Sequence, residues 1–256
     1  MVHTSYIATL NINGIAAPIK MNLLSAFIIH HALDIILLQE VTNIAITHIS
    51  GYSSHVNIGT DRGTVILVKE GITVQNVVRV PNGRGIAATI NGICYVNVYA
   101  PSGTGRTRER EEFFNNHLSP LLPVTSNNVV LAGDFNSVVD PRDATGGTPH
   151  SKMLERIIKV FNLKDVWEVT SNMHGFTHHT THGASRIDRI YVNEHLLLRK
   201  QSTRTVAAPF TDHLAVFLHM QVDLPVSVWG RGYWKMNVAI LKEEQTLNDM
   251  KAKWAV

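Results

Sequence analysis

The feature that most constrains this chain is a pair of short runs with no polar residue on either face, Ile35-Ile36-Leu37-Leu38 and Val129-Val130-Leu131-Ala132. A strand turns successive side chains to opposite sides of its sheet, so each run needs apolar cover on both faces. Each run then stops at polar residues, the first at Gln39-Glu40 and the second at Gly133-Asp134-Phe135-Asn136. A third strand-like stretch, Tyr6 to Leu10, leads into Asn11-Ile12-Asn13-Gly14. Ligands of α/β proteins gather beyond the carboxyl ends of strands, so these endings are candidates to converge on one site. A single ending reads equally well as a turn or a solubilised strand end. Three are harder to dismiss.

Further elements emerge from pattern. Pro18 opens a segment with Leu23, Leu24, Phe27 and Ile28 at helical spacing. Runs at Thr64 to Lys69, Ile72 to Val80, Ile86 to Ile90 and Ile93 to Tyr99 are separated by Gly71, Asn82-Gly83 and Asn91-Gly92, which are hairpin signals. Alternation in the last of these puts Cys94, Val96 and Val98 on one face and Tyr95, Asn97 and Tyr99 on the other. Apolar stripes through Phe113, Phe114, Leu118 and Leu121, and through Met153, Leu154, Ile157 and Phe161, predict two more helices. Two late strands, Ile187 to Val192 and Leu214 to Val222, complete the set. Helices interspersed with hairpins exclude a purely parallel α/β fold and predict sheets packed together with helices outside. The pattern ends near Leu224-Pro225, so 1–224 reads as one domain and 225–256 as a C-terminal extension.

Composition narrows the class. The 256 residues are 45% hydrophobic and 17% charged, which excludes a disordered chain and supplies enough apolar surface for a large core. Cys94 is the sole cysteine, so no intramolecular disulfide forms, which fits a reducing compartment or indifference to redox; an intracellular location is expected. The longest apolar stretch, Leu23 to Leu38, is interrupted by Ser25, His30, His31 and Asp34, which argues against a membrane span. The first residues carry no sign of a secretory leader. A net charge of +3 permits a polyanionic partner without requiring one. Between Met1 and Asp61 only Lys20, Asp34 and Glu40 are charged, so each needs a reason.

Several side chains are placed for chemistry. Asp134 and Asn136 point the same way if the chain is extended. Asp188 lies among Arg186 and Arg189 in Ser185-Arg186-Ile187-Asp188-Arg189, and Thr211-Asp212-His213 opens the last strand. Alone, the first reads as a surface ion pair and the second as a turn. Carboxylate and amide oxygens without thiolate suit Mg²⁺ or Mn²⁺. The His178 to His182 tract has a superficial zinc spacing but reads better as an exposed polar turn. Cys94 sits in a strand with no basic neighbour and is a poor nucleophile. The Gly-x-Ser-x-Gly and Gly-Lys-Ser/Thr motifs are absent from the sequence, which removes those reaction classes.

Taken in order, Leu10-Asn11-Ile12-Asn13-Gly14, Leu38-Gln39-Glu40, Asn97-Val98-Tyr99-Ala100-Pro101, Gly133-Asp134-Phe135-Asn136, Ser185-Arg186-Ile187-Asp188 and Thr211-Asp212-His213 resemble the endonuclease/exonuclease/phosphatase superfamily. Within it the chain, from Ser5 to Val222, is similar to the apurinic-like endonuclease domain of LINE-type (non-LTR) retrotransposons. The segment Gly232-Tyr233-Trp234-Lys235-Met236-Asn237 resembles the stretch that leads from that domain towards a reverse transcriptase. The resemblance implies an α/β four-layer sandwich, two mixed sheets face to face with helices outside. It implies phosphodiester hydrolysis by an in-line water with Mg²⁺, Mn²⁺ being the alternative ion.

Carried over by motif, Glu40 would be the principal metal ligand, with Asn11 beside it and Asp212 nearby. Asp134 would activate the water, and Asn136 would hold water or phosphate. His213 would donate to phosphate oxygens, with Asp188 fixing its ring and raising its pKa. Tyr99 would meet phosphate or the leaving oxygen. DNA contacts are expected at Tyr99, Ser102 (where the family often has Asn), Asn136, Thr177, Ser185 and Arg186, with Arg84, Arg106, Arg108, Arg110 and Arg189 as further phosphate partners. The implied activity is nicking of one strand of double-stranded DNA in the nucleus, leaving a 3′-hydroxyl for a reverse transcriptase domain of the same polyprotein, with no membrane involved. An abasic-site repair endonuclease, a phosphoesterase on a non-nucleic-acid phosphodiester, and an inactive nucleic-acid-binding module are the alternatives.

Overall fold

The computed structural model describes residues 2–15, 18–42, 49–60, 62–123, 128–167, 175–181 and 183–223. The expected extension at 225–256 therefore lies outside the described residues. Two six-stranded mixed sheets form the body. The first runs β13 (Lys200–Ala207), β14 (Leu214–Asp223), β1 (Val2–Asn11), β2 (Ile35–Val41), β4 (Gly63–Lys69) and β3 (Tyr52–Ile58). The second runs β5 (Val74–Arg79), β6 (Gly85–Ile90), β7 (Ile93–Tyr99), β8 (Val129–Asp134), β12 (Asp188–Asn193) and β9 (Leu163–Asp165). A separate hairpin pairs β10 (His178–Thr180) with β11 (Gly183–Ser185).

The apolar runs explain the layers. Ile35 and Leu37 face the second sheet, where they pack in one cluster with Ile7, Ile66, Ile86, Tyr95, Val130, Ala132 and Ile190. Ile36 and Leu38 face outward and pack with Leu24 and Ile28 of α1 (Pro18–His30). The second sheet repeats the scheme. Val96, Val98, Val129 and Leu131 turn away from the centre onto Phe113, Phe114, Leu118, Leu154 and Ile157. Those residues come from α2 (Thr107–Phe113), the π turn Phe114–Leu118 that continues into α3 (Ser119–Leu121), and α4 (Lys152–Val160). The Ser151 hydroxyl caps α4 by accepting from the Leu154 amide at 3.1 Å. A short α5 (Glu194–Leu197) connects β12 to β13. The four-layer expectation is met.

Asn97 is a polar residue inside the inter-sheet layer. It is fully buried and donates to the Leu38 and Val65 carbonyls at 2.9 Å each, while accepting from Gln39 Nε2 at 2.7 Å. This stitches β7 to β2 and β4 and fixes how the sheets face one another. Gly133 is the second device. Its φ is +140°, and a Cβ there would lie 2.0 Å from the Val98 carbonyl oxygen. We expect Gly133→Ala to destabilise the fold by about 3 kcal/mol or more, read as the midpoint of urea unfolding followed by tryptophan fluorescence. An unchanged midpoint would show that β7 can separate from β8 at this point without cost.

Candidate active site

Register brings the polar strand endings to one rim. β1 and β2 are parallel, with Asn11 opposite Gln39, and β7 and β8 are parallel, with Tyr99 opposite Asp134. β12 is antiparallel to β8 and begins with Asp188 opposite Asp134. β14 is antiparallel to β1 and begins one residue after His213. Local backbone then aims the side chains. The β2–β4 register shifts between Gln39 and Val41, and Glu40 at the bulge has φ +58°. Asn136 adopts φ +47°, a conformation that Asn tolerates better than other side chains. The Thr211 hydroxyl donates to the Asn11 carbonyl at 2.8 Å, holding the 211–213 turn against the end of β1.

At the centre lie Asp134, Asp188 and His213, all buried. Asp134 accepts from Asn11 Nδ2 at 2.9 Å, from the Asn136 amide at 2.9 Å and from Asn136 Nδ2 at 3.1 Å. Even so, burial and the adjacent Asp188 push its carboxyl up to about 7, against the pull of His213 and these donors. His213 Nδ1 lies 2.8 Å from Asp188 Oδ2. Burial alone would lower His213, but the charge and hydrogen bond of Asp188, helped by Asp134 and Asp212, raise it to about 9. An imidazolium is thus held beside a carboxyl group that exchanges its proton around neutrality. With Nδ1 committed to Asp188, a proton offered to a ligand comes from Nε2.

The pH consequences have opposite signs. The extra proton affinity of His213 stabilises the fold fully below pH 6.5 and is lost as pH rises through about 9. Ionising Asp134 works against the fold, a penalty that builds from pH 3.8 to about 7. A bound cation would relieve it. Asp134 and Asp188, with His213, place ligand atoms within 4.8 Å of one another, and Asp188 Oδ1 is buried without a hydrogen bond, so the two carboxylates suit a hard divalent ion while His213 keeps its proton.

Of the expected metal ligands, Glu40 and Asp212 stand outside that buried cluster. Glu40 instead pairs with Arg62, a guanidinium standing where a cation would. Asp212 is exposed and accepts from Asn13 Nδ2 at 3.1 Å. Burial raises its carboxyl, but its own backbone amide, His213, Asn13 and His178 outweigh that and hold it below the ordinary value. Asn11 Oδ1 accepts from the Asn13 amide at 2.9 Å.

The expected DNA contacts divide sharply. Tyr99 and Ser102 line a polar cavity with Glu40, while Asn136 and Ser185 line a second concavity beside His178 and Ile187. Thr177 is fully buried in the DNA-free protein, and its hydroxyl accepts from the Asp188 amide at 3.1 Å, so it braces β12 from inside. Arg186 requires correction, being buried and paired with Asp143 at 2.7 Å and Asp165 at 2.6 Å. Arg189 is buried against Asp143, and Arg110 donates to the Pro101 carbonyl at 2.6 Å. None of these three faces outward. Arg108 and Arg106 are exposed and paired with Glu112 and Glu109.

Two site residues escaped the sequence reading. His178 pairs as an isolated β-bridge with His213, their rings 4.7 Å apart, and its Nε2 lies 3.8 Å from Asp212. Burial and the nearby His213 lower its pKa despite Asp212 and Asp188. The reading of this tract as a turn missed that β10 begins against the site, and His182 of that tract lies outside the described residues. Arg62 carried no signal beyond being a charge near Glu40. Replacing Asp188 by Asn should drop the His213 titration midpoint from about 9 toward 6.5 in metal-free protein, followed by histidine NMR. A midpoint that stays high would assign the proton to the Asp134 carboxylate instead.

Comparison with known proteins places this geometry. The sequence profile of the endonuclease/exonuclease/phosphatase family matches residues 8–213. An uncharacterized 149 kDa protein of transposon TX1 from Xenopus laevis is 30% identical over 273 residues, covering 97% of this chain and 20% of that protein. The chain thus spans about a fifth of that relative's length. An AP endonuclease from Archaeoglobus fulgidus superposes with a TM-score of 0.69 at 20% identity, over 85% of this chain and 100% of that one. The endonuclease domain of TRAS1, a telomere-specific non-LTR retrotransposon, superposes with a TM-score of 0.63 at 13% identity, over 85% and 98%. With its profile matched from β1 to His213 and its fold shared with both nucleases, the chain belongs to the endonuclease/exonuclease/phosphatase family.

Proposed function

We propose that the chain is a divalent-metal-dependent DNA endonuclease that nicks one strand by in-line water attack, leaving a 3′-hydroxyl to prime reverse transcription of a retrotransposon. The observation that carries this reading is the buried Asp134–Asp188–His213 cluster with Asn11 and Asn136 around it. A phosphodiester transition state gathers negative charge on its equatorial oxygens, and an imidazolium held by Asp188 is a donor suited to that charge. Asp134, fixed from three directions by Asn11 and Asn136, is poised to orient the attacking water and receive its proton. Tyr99, only 5% exposed and opposite Asp134, is placed for the leaving oxygen.

Glu40, with Asn11 and Asp212, would hold the ion, Mg²⁺ or Mn²⁺, with Arg62 giving way. When bound, it would neutralise charge on the phosphate and the leaving oxygen. The transposon relative, of whose length this chain spans a fifth, supports the transposon setting. On this reading the substrate is double-stranded DNA, the action is in the nucleus, and a reverse transcriptase domain of the same polyprotein uses the nick. Among the described residues no helix is long and apolar enough to cross a membrane.

One observation favours abasic DNA as a second substrate. The concavity beside Asn136 is walled by Gly103, Gly146, Gly147, Ala184 and Ile187, which would accept a sugar without its base. The decisive assay is conversion of supercoiled plasmid to open circle with Mg²⁺ and with EDTA, alongside an abasic duplex. Metal-dependent nicking is expected, with Asp134→Ala and His213→Ala each slower by about 10²–10⁴-fold. Intact plasmid that is bound but uncut would leave a binding module, and cleavage confined to the abasic duplex would make this a repair enzyme.

A further inference from the structure

A polar cavity of about 480 Å³ opens on the Glu40 and Tyr99 side of the rim, with Arg62, Arg84, Ser102 and Arg106 in its wall. Its three guanidiniums are not equivalent. Arg62 is paired with Glu40 and Arg106 with Glu109 at 3.6 Å. Arg84 has no carboxylate partner among the described residues. Its guanidinium carbon lies 5.0 Å from the centre of the Tyr99 ring, and its Nη1 is buried with no hydrogen bond. Stacking uses the face of the guanidinium and leaves the in-plane donors unspent. A buried donor without an acceptor is costly, so the arrangement favours a ligand that supplies one.

The base of this side chain is also held in place. The Arg84 carbonyl accepts from the Tyr99 amide at 2.9 Å, locking the turn before β6 to the strand that carries Tyr99. Arg84 is therefore a fixed planar donor next to a residue of the proposed chemistry. Planar, paired donors match phosphate oxygens better than a point charge does. Of the other arginines offered as phosphate partners, Arg108 lies with Glu112, and Arg110, Arg186 and Arg189 are turned inside.

We propose that Arg84, with Arg62 and Arg106 around it, forms a subsite for one backbone phosphate of the cleaved strand, flanking the scissile phosphate on the Tyr99 side. This rests on the endonuclease reading for the identity of the strand but not for the anion site itself. Arg84 is a binding residue here, and Tyr99 is the link through which it would also position the reacting group.

The test measures binding of a fluorescent 30-base-pair duplex in EDTA across a salt series, for the wild type and Arg84→Gln. The slope of log affinity against log salt should be shallower by about 0.9 in Arg84→Gln, the loss of one phosphate contact on duplex DNA. Arg84→Lys, which keeps the charge and loses the planar fork, should keep most of the slope and still weaken binding. Ser102→Asp, at an exposed position in the same wall, should flatten the slope without touching Arg84, and covers the case in which Arg84→Gln fails to fold.

Titration with inorganic phosphate separates the sources. An anion site that binds phosphate but leaves the duplex slope unchanged in both Arg84→Gln and Ser102→Asp overturns the assignment to DNA. Unchanged slopes with unchanged phosphate binding overturn the site altogether. The wild-type plasmid assay keeps the two readings apart: nicking with unaltered slopes sinks only the subsite, whereas altered slopes without nicking sink only the endonuclease.

Discussion

Two carboxylates facing each other across paired strands set the terms for this molecule. Asp134 and Asp188 are cross-strand neighbours, both essentially without solvent exposure, and like charges so placed repel strongly in a poorly polarisable interior. His213 relieves that repulsion by carrying a positive charge against Asp188, and Asn11 and Asn136 supply Asp134 with the hydrogen bonds that burial removes. Thr177, Asn13 and the 211–213 turn hold those partners in turn. The result is a site in which proton positions are decided before any ligand arrives. That is the arrangement electrostatic catalysis requires.

A second buried charge network supports the first from behind. Asp143, fully buried, receives Arg189 and Arg186 at 2.7 Å each, and Arg189 also reaches the Tyr191 hydroxyl. The Arg186 amide donates to the Asp143 carbonyl at 2.8 Å. Such pairs contribute little net stability against an apolar replacement, yet losing one partner strands a charge. Here they tie the loop before α4 to the segment that enters β12. Their work is placement of Asp188 and of the concavity beside Asn136.

Much of the architecture was legible because the central strands are apolar on both faces. Ile35 to Leu38 and Val129 to Ala132 could only be covered twice, and the alternation at Cys94 to Tyr99 sorted correctly into inter-sheet and outer clusters. The strands that escaped notice are β3, β9 and β13. Each lies at a sheet edge, where half-burial permits residues such as Ser53, His55, Gln201 and Arg204 and erases the alternating pattern. The β10–β11 hairpin is three residues a side, too short to carry a period.

The sequence by itself determined the chemistry available: carboxylates, amides and an imidazole at the ends of strands that had to be buried. It determined as well that sheets pack together with helices outside, since runs apolar on both faces need cover on both; the count of four layers came with the family resemblance. Tertiary structure decided which charges face outward. Arg84 and Arg186 look alike in sequence, but Asp143, which claims Arg186, lies 43 residues away, and nothing local announces the pairing. It also decided that Arg62 meets Glu40 and that His178 meets His213, contacts made by register between strands distant in the chain. Burial and pairing are properties of the assembled sheets, so the upward shift of Asp134 and the downward shift of His178 emerge only there, whereas the rise of His213 followed from the Asp that the motifs set beside it.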